Sequence, residues 1–201
     1  MHLLLTSMLH PRMEEVLSGT VVYIADAART LLASPGGRKH AEWEHDQVRL
    51  YGCDLVDVMV ATTPPDQLVE VLDHADGIYM ASGETFDLLN ALKTSGADKL
   101  IVDKVREGLP YVGSSAGSVV AGPSIEPISV MDSPDLAPNL HDYTALDLID
   151  RVIIPHAQGD GAYPATIITE TVERYGSAYP LLLLEDGQAL EVDGTRQSVI
   201  A

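Results

Sequence analysis

Basic side chains are scarce in this sequence. Lysine occurs only at Lys39, Lys93, Lys99 and Lys104, and lysine plus arginine number 12 against 30 acidic residues, a formal net charge of −18. Neutralising a phosphate backbone takes clustered cations, so nucleic acid is excluded as a partner and an anionic membrane surface is disfavoured. Cysteine occurs once, at Cys53. A single thiol closes no intramolecular disulfide and builds no cysteine zinc site. Within YGCDLVDVMVA it reads as a small, buried side chain where a strand begins. No apolar run approaches the ~20 residues that span a bilayer, so no membrane partner is expected. The opening MHLLLTSMLHPRMEE has too short an apolar stretch and no basic lead for a signal peptide. The expected location is the cytoplasm.

Apolar residues, by contrast, make up 46% of the 201 positions, and the mean hydropathy is slightly positive. That supports a sizeable core, and the length suits one domain over residues 1–201. Short, nearly continuous apolar runs recur at 2–7 (HLLLTS), 20–28 (TVVYIADAA), 54–61 (DLVDVMVA), 77–82 (GIYMAS), 109–114 (LPYVGS), 151–156 (RVIIPH) and 180–186 (PLLLLED). Gly, Pro, Asp or Ser bound them, as expected of strands covered on both faces. Between them, helical patterns occupy 40–50, 65–72, 85–92, 98–107 and 166–175, the last stopping at Gly176. This alternation predicts an α/β fold, a doubly wound and mostly parallel sheet flanked by helices. The tail DGQALEVDGTRQSVIA, with its Asp-Gly turns, predicts a C-terminal β-hairpin at the sheet edge. Residues 33–39 (ASPGGRK) read as a loop. Residues 122–140, rich in Pro, Ser and Asp, read as a long irregular segment, of the kind that often covers a site.

The stretch YVGSSAGSVVAG carries the chemistry. GSSAG matches G-x-S-x-G with Ser115 at its centre, between a strand-like run and a helix-compatible one. In such an elbow the chain turns sharply after the strand and lifts the hydroxyl into the open. Ala116, the next residue, offers a free N–H at a helix start to an oxyanion. The structural alternative is a plain Gly–Ser turn beside a closely packed helix. A nucleophilic serine needs a base. Of the seven histidines, His40 and His45 read as solvated positions on a polar helix and His74 suits a helix end. His156 closes the run RVIIPH at the strand edge that also holds Ser115. A third group would orient its imidazole. Glu185, after four leucines, ends the next core strand; Asp186 competes but would also serve the Asp-Gly turn, and Asp160 is a weaker candidate.

At these residues the chain resembles peptidase E, the aspartyl dipeptidase family of serine peptidases, whose fold is related to class I glutamine amidotransferases. HLLLTS and TVVYIADAA resemble its first two strands, and YMASGETFDLLNAL its Gly-Gly-Asn-Thr segment and helix. YVGSSAGSVVAGPSI resembles its elbow, IIPH its Asn-Pro-His strand end, and LLLEDGQALEV its glutamate-bearing strand. The resemblance implies a Ser-His-Glu triad on Ser115, His156 and Glu185, with oxyanion donors at the amides of Gly83 and Ala116. It implies hydrolysis of short peptides, dipeptides with N-terminal Asp among them, with no metal or organic cofactor. The family's Gly-Gly-Asn is Ser82-Gly83-Glu84 here, so Glu84 is a candidate for binding the substrate's free amino terminus. An acidic P1 side chain needs a cation; the segment after His156 has no basic residue until Arg174, which leaves Arg29 or Arg38 to supply it. Two rivals stand beside this reading: a relative that binds a small molecule without turnover, and an esterase or amidase with the same triad.

Overall fold

The computed structural model describes residues 1–159 and 161–201. A seven-stranded sheet in the order β3-β2-β4-β5-β1-β8-β9 forms its centre. Its strands are β1 (His2–Thr6), β2 (Thr20–Ile24), β3 (Asp54–Val58), β4 (Gly77–Met80), β5 (Tyr111–Ser114), β8 (Ala189–Asp193) and β9 (Arg196–Ile200). The first five run parallel. β8 joins β1 antiparallel and turns back into β9, so the tail forms the expected edge hairpin. The remaining strands, β6 (Val152–Ile154) and β7 (Leu181–Leu183), pair in parallel as a separate two-stranded sheet.

Strand alternation sorts the core onto two faces. Leu3, Leu5, Val22, Ile24, Ile78 and Met80 face one cluster. Helices α3 (Pro65–Asp73), α4 (Thr85–Ser95), α5 (Ala97–Glu107) and α7 (Ala165–Tyr175) cover it. Leu4, Val21, Tyr23, Tyr79 and Val112 face the other cluster, under α1 (Met13–Val16) and α2 (Pro35–Leu50). Cys53 is buried there, as read from the sequence. The short α6 (Ala116–Val119) follows β5 directly.

Two boundaries differ from expectation. Residues 33–39 are not a loop. The Ser34 side chain accepts the amide of Gly37 at 3.0 Å and Pro35 follows at the first helical position, so α2 begins there. The cap outweighs the low helix propensity of two adjacent glycines. Residues 122–140 hold two short 3₁₀ turns, Glu126–Val130 and Pro134–Leu136, and bury Ile125, Ile128, Ala137 and Leu140 in the first core cluster. This segment is a packed layer rather than a flap.

Candidate active site

Parallel strands deliver their C-terminal ends to one edge, where α/β sheets place their sites. β1 ends beside Ser7, β4 leads into Ser82-Gly83-Glu84, and β5 leads into Ser115. The register Thr6↔Ser114 sets Ser7 and Ser115 side by side, and the Ser115 amide donates to the Thr6 carbonyl at 3.0 Å. Ser115 has φ 48° and ψ −109°, a conformation an L-residue rarely adopts. Packing holds it there. A Cβ on Gly117 would lie 2.1 Å from the Met80 carbonyl oxygen, so only glycine lets α6 approach β4. The Tyr111 hydroxyl donates to the Gly117 carbonyl at 2.6 Å, and the Ser118 hydroxyl lies 2.7 Å from the carbonyls of Thr6 and Gly113. The sequence motif is therefore a strained strand–turn–helix elbow.

Ser115 Oγ stands 3.0 Å from His156 Nε2. His156 lies two residues beyond β6, at φ 58°, and its Nδ1 is 2.8 Å from Asp186 Oδ1. The acid that meets the imidazole is thus Asp186 and not Glu185. The reason is the turn over residues 185–188, closed by the Gln188 amide on the Glu185 carbonyl at 2.9 Å, with Gly187 at φ 87°. It swings Asp186 back over the sheet edge. Glu185 is left exposed, and its carboxylate makes no hydrogen bond among the described residues. Asp160, the other acid considered, lies outside the described residues.

Ser7 and Gln158 hold Asp186 in place. The Ser7 hydroxyl donates to Oδ1 at 2.6 Å and itself accepts the His156 amide at 2.7 Å; the Gln158 side chain donates to Oδ2 at 2.6 Å. Burial opposes ionisation of Asp186, but these donors and His156 outweigh it and hold the carboxyl below its ordinary range. The imidazole is also flanked by Tyr163, whose ring is 6° from parallel with centroids 5.1 Å apart. Tyr163 donates to Asp132 Oδ1 at 2.9 Å, and Asp132 Oδ2 accepts the amide of Thr85 at 3.1 Å.

Ser115, His156, Asp186, Gly83 and Glu84 share a cleft of about 320 Å³. No residue of 122–140 lines it, so that segment does not cover the site; it acts from behind, through Asp132. The amides of Gly83 and Ala116 have no hydrogen-bond acceptor among the described residues, as oxyanion donors require. Gly83 has φ 138°, and a Cβ there would lie 2.2 Å from the Ala27 carbonyl oxygen. Glu84 is half-buried; burial, then the charges of Asp132 and Asp87, push its carboxyl above the ordinary range. Neither arginine considered for an acidic side chain lines the cleft. Arg29 forms an ion pair with Asp87, and Arg38 donates to the Leu32 carbonyl at 3.2 Å. His40 is exposed as expected but also lines the cleft and bonds Ser82. Sequence reasoning missed Ser7, Gln158, Tyr163, Asp132 and Glu44, because each acts through a contact distant in sequence.

A strained serine bonded to a histidine that is bonded to an acid, beside two free amides, is the layout of an acyl-transfer site on an α/β sheet. The model of peptidase family S51 matches residues 5–200, and the chain belongs to that family. A peptidase of Listeria innocua that is itself uncharacterized is 44% identical over 105 residues, which cover 52% of this chain and 50% of that protein. Another, from Pasteurella multocida, is 31% identical, covering 71% and 68%. Peptidase E of Streptomyces coelicolor is 33% identical, covering 62% and 52%. The chain thus spans about half the length of most of these curated relatives. Among solved structures, a Listeria monocytogenes protein provisionally described as peptidase E superposes with a TM-score of 0.86 at 28% identity, covering 99% of this chain and 97% of that one. A peptidase from an acI-B1 actinobacterium has the same fold, with a TM-score of 0.69 at 17% identity. Within the described residues, no helix is long and apolar enough to cross a membrane.

Proposed function

We propose that the chain is a serine peptidase acting on short peptides with a free amino terminus. The observation that carries this reading is the unbroken chain Ser115 Oγ–His156–Asp186, with contacts of 3.0 and 2.8 Å. His156 takes the Ser115 proton as the hydroxyl attacks the peptide carbonyl, and returns it to the leaving amine. The amides of Gly83 and Ala116 receive the developing oxyanion. Water then attacks the acyl-enzyme, with His156 again as base. Asp186, in the role first expected of Glu185, holds the imidazole with its proton on Nδ1.

Glu84, beside the oxyanion turn, receives the substrate's ammonium group. The same acidic lining argues for the P1 side chain: Glu84 and Asp186 line the cleft, and no lysine or arginine does so among the described residues. Peptides with a neutral N-terminal residue therefore fit better than the Asp-X dipeptides that the resemblance implies.

The test is a panel of dipeptides, Asp-X included, and simple esters, offered to the wild type and Ser115→Ala side by side. Ser115-dependent turnover of neutral dipeptides, exceeding that of Asp-X, is expected. Turnover of esters alone would replace the reading with an esterase. No turnover, together with no labelling by a fluorophosphonate, would replace it with a binding protein.

A further inference from the structure

The oxyanion turn is gripped from outside the sheet by a buried acid on α2. Glu44 is only 2% exposed, yet it lies on a helix whose outer face is polar. Its Oε1 accepts the Tyr79 hydroxyl at 2.8 Å and the Ser82 amide at 3.1 Å, and its Oε2 accepts the Ser82 hydroxyl at 2.7 Å. Burial first, and then the charge of Glu44, push the Tyr79 phenol well above its ordinary range, so it stays a donor. One helical turn earlier, His40 Nε2 lies 3.1 Å from Ser82 Oγ. The Ser82 proton is committed to Glu44, so the hydrogen of this second contact sits on His40 Nε2. Ser82 is thereby distinguished from Ser115: its hydroxyl points its proton at a carboxylate and has no histidine acceptor, which leaves it a structural link and not a second nucleophile.

The position of that link matters. Glu44 fixes the amide just before Gly83, and the Ala27 carbonyl fixes the amide just after it, accepting Glu84 N at 2.8 Å. Between two anchored amides, the free N–H of Gly83 has one orientation. We infer that Glu44 is a positioning residue that clamps the Ser82–Gly83 turn from α2 and so sets the Gly83 oxyanion donor. The inference rests on the serine-peptidase reading above. A carboxylate suits the task because it is acceptor-only and takes three donors at once. Burial keeps water from competing for them.

The experiment compares Glu44→Ala, Glu44→Gln and Ser82→Ala with the wild type in dipeptide turnover, fluorophosphonate labelling rate and hydrogen–deuterium exchange of residues 81–84. Loss of an oxyanion donor costs about 10²–10³ in kcat, and misplacing one on the order of 10². Glu44→Ala should therefore lower kcat and the labelling rate about 10²-fold, leave KM within about threefold, and speed exchange at 81–84. Glu44→Gln keeps an acceptor oxygen and should recover most of the loss, a rescue that a general packing defect would not show. Ser82→Ala keeps the backbone contact and should lie between. Folded Glu44→Ala with kcat and labelling within about threefold of wild type would overturn the inference. Should Glu44→Ala fail to fold, wild-type rates and exchange in both Glu44→Gln and Ser82→Ala would overturn it. A wild type without Ser115-dependent turnover or labelling would instead overturn the peptidase reading. Exchange would then decide the clamp: faster exchange supports it, unchanged exchange sinks it.

Discussion

Ser7 joins the first strand to the acid of the site: its hydroxyl donates to Asp186 Oδ1 at 2.6 Å while its oxygen accepts the amide of His156 at 2.7 Å. One small side chain thus fixes both the carboxylate and the backbone of the base it orients. The two adjacent acids then separate cleanly. Asp186→Asn puts an amide opposite Nδ1 and favours the wrong tautomer, so kcat should fall by about 10²–10⁴ with little change in KM. Glu185→Gln alters an exposed side chain with no described partner and should stay within about twofold. Steady-state kinetics of the two variants decide between the acids. Equal effects, or a larger one for Glu185, would refute the assignment to Asp186.

Tyr163 shapes the other side of the imidazole. Its stack on His156 is separate from its hydroxyl contact to Asp132, so two variants resolve them. Tyr163→Phe keeps the ring and should retain kcat within about threefold. Tyr163→Ala removes a stack worth about 0.5–1.5 kcal/mol and frees the ring to rotate. A drop of about tenfold in kcat is expected, in line with ~1.4 kcal/mol per decade. The opposite ranking would mean that the Asp132 tether, rather than the stack, orients the base.

How far the site could be read from the sequence follows from the range of the contacts that make it. The placement of Ser115 and Ala116 at a strand–helix turn was legible because that turn is local: strand, turn and helix lie within a dozen residues. The approach of His156 to Ser115 was legible because a strand end in a parallel sheet has a known edge. Glu185 was read in place of Asp186 because residue order gives the end of a strand but not the rotation of the turn after it. The positive φ of Gly187 and the grip of Ser7, 179 residues away in sequence, decide which carboxylate meets His156. Joining β6 and β7 to the main sheet was the natural assumption from the strand–helix alternation. Their apolar runs are the same whether they extend one sheet or pair alone. Glu44 left a weak signal. It and Val48, one turn apart, are the only buried residues of an otherwise polar α2, so an acid shared the inward stripe with a valine.

Asp132 gives the site a pH signature in stability. Burial raises its carboxyl above the ordinary range, against the opposing hydrogen bonds of Thr85 and Tyr163 and the charge of His156. A carboxyl raised by folding binds its proton more tightly in the native state. Between the unfolded value of about 3.9 and the raised folded value, the native state therefore holds more protons, and stability falls as pH rises. This contribution is complete below the unfolded value and is lost as pH passes the folded one. Asp132→Asn carries no titrating group, so its unfolding midpoint in urea should lack that slope. A wild-type and variant pair with parallel pH profiles would show that Asp132 does not titrate in the window.

Glu84 should govern how pH acts on substrate binding. Burial, with Asp132 and Asp87 nearby, raises its carboxyl, so it takes up its proton at a higher pH than an ordinary glutamate does. Protonation removes the charge that, on the proposed reading, faces the ammonium of the substrate. KM for dipeptides should therefore rise as pH falls through the raised value. Glu84→Gln should fix KM roughly 10- to 150-fold higher, as loss of a charged hydrogen bond worth about 1.5–3 kcal/mol implies, and flatten the pH dependence of KM. Its kcat should change little, because the oxyanion amides and the Ser115–His156–Asp186 chain are untouched. N-acetylated dipeptides, which lack the ammonium, should show no difference between wild type and variant. A KM that is unchanged in Glu84→Gln for free dipeptides would remove the amino terminus from this residue and leave Glu84 as packing beside the turn.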